Sequence, residues 1–393
     1  MKESEFRKTS PKNNSELSDS SLQIVKVEDR QARNTFIRLP WSLYCDDPMW
    51  VPPLLLERRM HLSPKNPYFE HATCCFWVAY RDGKPVGRIS AQVDQMHLER
   101  YRDSTGFFGM LEAEDNIETF KALFGIAESW LRSQGMVHSR GPFNLSINQE
   151  CGLLVAGYDT PPSMMMGHAL PYYAERIEQC GYSMEKDLLA YIVEGDIEYS
   201  ATRKLLMKRA KGRIQTRPLR KKHFQEDLDI VFSIFNDAWS DNWGFVPFSP
   251  KELEHLANDL KFLINDKLVS IAEVDGEPAA FIVALPNLNE VIQDCNGKLL
   301  PFGWLKILWR LKIKNPATAR VMLMGVLNKY QNSLLGAALA YKVISDAQEA
   351  VINCGVKKVE LSWILEDNVR MRDIIKDGGA REYKTYRIYS KGL

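Results

Sequence analysis

Gly325-Val326-Leu327-Asn328-Lys329-Tyr330-Gln331-Asn332-Ser333-Leu334-Leu335-Gly336-Ala337-Ala338-Leu339 passes from an apolar run through a polar loop into small apolar residues. Upstream, Arg320 to Leu327 is β-rich; downstream, apolar residues recur at helical spacing from Leu334 to Cys354 and stop at Gly355. The stretch reads as strand, loop and long helix. After it, Lys357 to Leu365 predicts a strand, Asn368 to Lys376 a helix and Lys384 to Tyr389 a last strand. Before it, Arg217 to Lys222 predicts a short strand, and Phe224 to Asp241 and Pro250 to Ile264 predict helices. Leu268 to Val274 and Pro278 to Leu285 form a hairpin around Asp275-Gly276.

The first half repeats this order. Leu22 to Val27 opens as a strand, Asn34 to Tyr44 is helical, and Cys75 to Tyr80 and Pro85 to Asp94 pair around Asp82-Gly83. Thr105 to Leu111 is a strand, Ile117 to Ser133 a helix ended by Gly135, and Val137 to Ile147 extends again. Pro171 to Cys180 and Leu188 to Glu194 close the half as helix and strand. The expectation is an α/β chain of the mixed-sheet, α+β kind, duplicated at the level of fold. Its parts are a disordered tail over 1–21, domains over 22–195 and 217–393, and a basic linker over 196–216.

Composition narrows the function. A chain of 393 residues with 45% apolar content is long enough for two cores. Lys plus Arg (51) and Asp plus Glu (50) nearly cancel, so no net field draws the chain to nucleic acid. The seven cysteines form no C-x-x-C pair and have no histidine at metal-ligand spacing; they read as reduced thiols, with no metal expected and a cytoplasmic location. The most apolar segment, Leu299 to Ile313, is broken by Lys306, Arg310 and Lys312, so no membrane span is expected.

The element order and the opening stretch resemble the GNAT acyltransferase superfamily, whose loop reads Q/R-x-x-G-x-G/A. Gln331 and Gly336 match the first and last positions, and Leu334 stands at the middle glycine. The resemblance implies a coenzyme A thioester, acetyl-CoA or a longer acyl-CoA, held along Val326, Leu327, Gln331, Asn332, Ser333, Leu335, Gly336, Ala337 and Ala338. Small residues at a helix N-terminus let backbone N–H groups meet the pyrophosphate. A second match, Val359 to Asn368 followed by Met371, Ile374, Ile375 and Gly379-Ala380, is similar to the family's N-x-x-A-x-x-L-Y-x-x-x-G-F strand and helix, and brings in Asn368. Ile375 occupies the place of the tyrosine that commonly protonates the leaving thiolate.

The first half departs further. Its junction Glu112-Ala113-Glu114-Asp115-Asn116-Ile117-Glu118 has no glycine and four carboxylates, with Asp115 and Glu118 spaced as an N-cap and its partner, which repels a pyrophosphate. In Gly141 to Gly152, a strand would put Asn144, Ser146, Asn148 and Glu150 on one face. Asn144 and Asn148 are then candidate substrate contacts and Glu150 a candidate base; the alternative is a turn capped by asparagines.

Residues 298–314 predict an amphipathic helix with Lys306, Arg310 and Lys314 opposite Leu305, Leu308, Trp309 and Ile313. It suits peripheral membrane contact or the roof of an acyl groove, or else a core-facing helix with a solvated basic stripe. Arg203, Lys204, Lys208, Arg209, Lys211 and Arg213 read as a solvated linker face, the alternative being contact with anionic lipid or nucleic acid, and His138 and His168 carry no catalytic signature.

Together these features predict an acyl-CoA-dependent N-acyltransferase that transfers an acyl group other than amino-acyl to a small-molecule or lipid-like amine. Glu360, or a water near it, is the candidate base. The alternatives are a non-catalytic binding protein with a degenerate cleft and a transferase fed by a carrier-protein thioester.

Overall fold

The computed structural model describes residues 22–194, 200–210, 212–260 and 264–393. The tail expected over 1–21 and part of the expected linker lie outside the described residues.

The first half builds β1 (Leu22–Lys26), β2 (Ala72–Arg81), β3 (Lys84–Asp94), β4 (Thr105–Ala113), β5 (His138–Gly141), β6 (Leu153–Ala156) and β7 (Ser183–Glu194). The second builds β8 (Ile214–Pro218), β9 (Val269–Val274), β10 (Glu277–Pro286), β11 (Thr318–Val326), β12 (Lys358–Leu365) and β13 (Arg381–Gly392). The two hairpins stand where the Asp-Gly pairs predict them. Asp82 and Gly83, and again Asp275 and Gly276, all take positive φ, the geometry of a twist-matched two-residue turn.

Among the described residues the strands form one sheet in the order β1-β2-β3-β4-β5-β13-β7-β12-β11-β10-β9-β8, with β6 on β13. Each half contributes four antiparallel strands and one parallel pair, β4 with β5 and β11 with β12. The closing strands are exchanged. β13, last in the chain, pairs with β5 of the first half, and β7 pairs with β12 of the second. β7 and β13 pair with each other along nearly their whole length, so the seam is continuous sheet.

The long helices cover the sheet through apolar stripes. Ile117–Ser133 buries Phe120, Leu123, Phe124, Ala127 and Leu131. Leu334–Asn353 buries Leu339, Val343, Ala347 and Val351 against β9 and β10. The N-cap of Ile117–Ser133 is Asn116, whose side chain accepts the Glu118 N–H, rather than Asp115, which pairs with Arg176 at 2.8 Å. The correction is one residue, and the acidic character of the junction remains.

Candidate functional site: a groove between the splayed strands of the second half

The parallel ladder between β11 and β12 runs only from Thr318/Lys358 to Val321/Leu361. Beyond it the strands part, β11 staying with β10 and β12 with β7. A cavity of about 680 Å³ opens there. Met322 to Val326 form one wall and Ser362 to Leu365 the other, with Trp239 and Trp363 edge to face at 5.6 Å between them. The cavity follows the long helix from Ser333 to Ile352, about 28 Å at a rise of ~1.5 Å per residue. Ala337, Ala340, Ile344, Ala347 and Val351 line it at helical spacing, so the helix side of the trench is mostly apolar, with Gln348 and Lys357 as polar neighbours.

At the helix N-terminus, the Ser333 hydroxyl accepts the Gly336 N–H at 3.0 Å and donates to Tyr330 O at 2.7 Å. A Cβ on Gly336 would sit 2.0 Å from Tyr330 O, so the tight loop demands glycine there. Gln331 ties the loop down, donating to Val326 O and Ala238 O at 2.9 and 3.1 Å. Leu334 takes an ordinary helical backbone and is 69% exposed, so the loop closes without a glycine at that position. Val326, Gln331, Asn332, Ser333, Gly336, Ala337 and Asn368 line the groove. Leu327, Leu335 and Ala338, also expected to touch the donor, instead pack into the cores beneath. The sequence reading missed Arg370, which donates to Asn332 at the mouth, and Ser362.

Glu360 does not line the groove; it is buried one layer behind Ser362, which does. Ser362 and Tyr383 donate their hydroxyls to Glu360, and Ser163 does so at 2.5 Å. Arg320 donates from Nε to Ser362 Oγ at 2.8 Å and stands 3.9 Å from the carboxylate. Burial pulls Arg320 below the usual guanidinium range, opposed by Glu360, while burial and the same carboxylate push Tyr383 well up. Burial lowers Lys384 to about 8 against the pull of Glu360, and its ammonium donates to Gly157 O and Thr160 O at 2.5 and 2.7 Å. The arrangement forms a hydroxyl relay from the groove wall to a carboxylate whose oxygens are already hydrogen-bonded.

The equivalent split in the first half is plugged by its own chain. β4 and β5 part after Phe107/Arg140, and residues 142–151 fill the wedge as turns rather than a strand. Phe143 N–H donates to Phe108 O at 2.8 Å, and a Cβ on Gly109 would lie 1.7 Å from Phe143 O. Of the two readings of this stretch, the asparagine-capped turn is the one observed and the polar strand face is not: Asn144, Asn148 and Glu150 hold the plug together. Asn144 accepts Met110 N–H at 2.7 Å and donates to Glu150 at 3.0 Å, and Glu150 meets Arg58 at 3.4 Å. Asn148 donates to Val246 O of the second half at 2.8 Å.

No protein-family model matches the chain. Protein YghO of Escherichia coli (strain K12) is 48% identical over 359 residues, 91% of this chain and 92% of its own. Bacterial ceramide synthase of Caulobacter vibrioides (strain NA1000 / CB15N) is 44% identical over 379 residues, 95% of this chain and 98% of its own. Among solved structures, a tandem GNAT protein from the clavulanic acid biosynthesis pathway matches with a TM-score of 0.54 at 12% identity, over 95% of this chain and 98% of that one, a shared fold.

Proposed function

The chain belongs to the family of bacterial ceramide synthase and YghO and has the tandem GNAT fold, and from that premise we propose that it is an N-acyltransferase joining a long-chain fatty acyl thioester to the amine of a long-chain base. The observation that carries the donor half of this reading is the apolar trench, which begins at the Ser333–Gly336 loop and continues far beyond what an acetyl group fills. The acceptor half is supported by the relative named ceramide synthase, since a ceramide is an N-acylated long-chain base.

The start of the long helix, its loop closed by Ser333 and Gly336, and the Arg370 guanidinium would hold the phosphates of coenzyme A, since a helix N-terminus and a guanidinium both favour anions. The splayed edge of β11 would orient the thioester, and the trench would take the acyl chain. The amine nitrogen bonds to the carbonyl carbon as the carbon–sulfur bond breaks. The proton lost from nitrogen passes through Ser362 to Glu360, and the thiolate takes a proton from solvent at the open mouth, since Ile375 offers none. Holding the two reactants in one cleft supplies much of the rate. The plug of the first half favours a single donor site per chain.

The reading is tested by following free thiol when purified protein is mixed with palmitoyl-CoA and sphinganine. Thiol release that requires both compounds supports it. Thiol release at the same rate without the amine, or none with any acyl chain length, contradicts it.

A further inference from the structure

The insertion between β10 and β11 turns its apolar side outward. Helix Gly303–Trp309 runs on into a π-helical stretch, Arg310–Lys314. Its inner side packs Ile307 and Leu311 on Val51, Val291 and Ile292, and Arg310 donates to Val291 O at 2.6 Å. Helical spacing then points Trp304, Leu305, Leu308 and Trp309 away from the protein, with Phe302 and Ile313 at the two ends; all six are 45–72% exposed. The sequence reading placed a basic stripe in solvent opposite these residues. In the structure the apolar side faces outward as well, while Lys306 and Arg310 are drawn onto Asp294 at 2.6 and 2.7 Å and Lys306 stays exposed. The segment is also fixed to the first half: Trp41 Nε1 donates to Asn296 Oδ1 at 2.7 Å, and Leu55 N–H to Gly297 O at 3.0 Å.

We propose that this face docks on an anionic lipid bilayer. Two indoles among leucines and a phenylalanine are the side chains that settle at a headgroup boundary, with the ring in the acyl region and the N–H toward water. Lys298, Lys312 and Lys314 border the stripe, exposed and outside any ion pair found among the described residues. With the whole chain near neutrality, these three give the face a local positive field suited to anionic headgroups. No helix among the described residues is long and apolar enough to cross a membrane, so the contact is interfacial. A second copy of the chain fits worse: a twofold contact on this face would bring the same lysines against each other. The inference stands apart from the substrate reading, because none of the residues of this face lines the groove.

The test is flotation of the full chain with phosphatidylcholine vesicles, with and without phosphatidylglycerol. The protein should float with the mixed vesicles, and raised salt should weaken binding as the Debye length shrinks from about 10 Å towards 3 Å. Trp304→Glu with Leu308→Glu should cut the bound fraction on the order of tenfold or more at fixed lipid, with an unchanged melting midpoint because neither side chain is in a core. Lys312→Glu with Lys314→Glu should lose the preference for phosphatidylglycerol. Should the glutamate variant misfold, the milder Trp304→Phe with Trp309→Phe variant should still float but lose fluorescence quenching by brominated lipid. Absence of wild-type flotation on either vesicle, equal flotation of a folded glutamate variant, or a wild-type dimer that this variant splits into monomers would overturn the proposal, the last in favour of self-association.

Discussion

Ser163 of the first half donates its hydroxyl to Glu360 of the second at 2.5 Å. The carboxylate behind the groove is thus held by both halves, and Tyr383 of β13 donates to it from across β7. On the proposed reading, tandem folding builds one site rather than two.

Glu360→Gln removes the proton acceptor without changing the groove's lining. We expect kcat to fall by roughly 10²- to 10⁴-fold, the range of a general base, with little change in KM for the thioester. Ser362→Ala should fall similarly because it cuts the relay, and Ser163→Ala less, since two hydroxyls remain on the carboxylate. Steady-state kinetics on variants with wild-type melting curves decides this; an unchanged kcat in Glu360→Gln would remove the relay from the mechanism.

Gly336→Asp puts a Cβ against Tyr330 O and a negative charge where the phosphates would lie. Calorimetric titration with coenzyme A should show affinity lost beyond detection. Leu334→Ala, at an exposed position with ordinary backbone, should change affinity by less than about threefold, since an exposed truncation away from structural features moves energies within ~0.5 kcal/mol.

His71 joins the halves, with Nδ1 3.0 Å from Asp94 and Nε2 3.2 Å from Glu252. Burial alone would lower its pKa, but the two carboxylates outweigh burial and raise it from 6.5 to about 10. A raised folded-state pKa gives stability that is complete below pH 6.5 and is lost as pH climbs to about 10. Urea midpoints measured across that window should therefore fall more steeply for the wild type than for His71→Gln. Parallel profiles would show that the histidine is not the coupling group.

Ala340 and Ala347 face the trench one and three helical turns beyond Gly336. Ala347→Phe should shift the preferred donor to shorter acyl chains while activity with an eight-carbon donor, a length chosen to stop short of Ala347, persists. Ala340→Phe should shorten the limit further. Competition between mixed acyl-CoA lengths reads this directly; an unaltered chain-length profile in both variants would place the acyl chain elsewhere.

Much of this was legible in the residues because it is local. Asp82-Gly83 and Asp275-Gly276 demand their hairpins, and the run from Arg320 to Cys354 dictates strand, loop and helix. What was not legible depends on partners distant in sequence. The strand pattern of β7 and β13 says which side is buried but not which edge it joins, so the exchange could not be read. Residues 142–151 alternate like a strand, yet the close approach of Phe143 O to Gly109 turns them into a plug. Of the readings open for the insertion helix, the core-facing one fails because Val51, Val291 and Ile292 take Ile307 and Leu311 inward instead. Ser362 gave no signal of its own; its proposed role follows only from its standing between the groove and Glu360.

The central claim is that the second-half groove joins a long acyl thioester to a long-chain amine. Mass spectrometry of reactions containing palmitoyl-CoA and sphinganine tests it most directly. We expect one equivalent of N-palmitoyl amide for each free thiol with the wild type, and neither product with Gly336→Asp. Thiol without amide, or amide formed equally well by the Gly336→Asp protein, would contradict it.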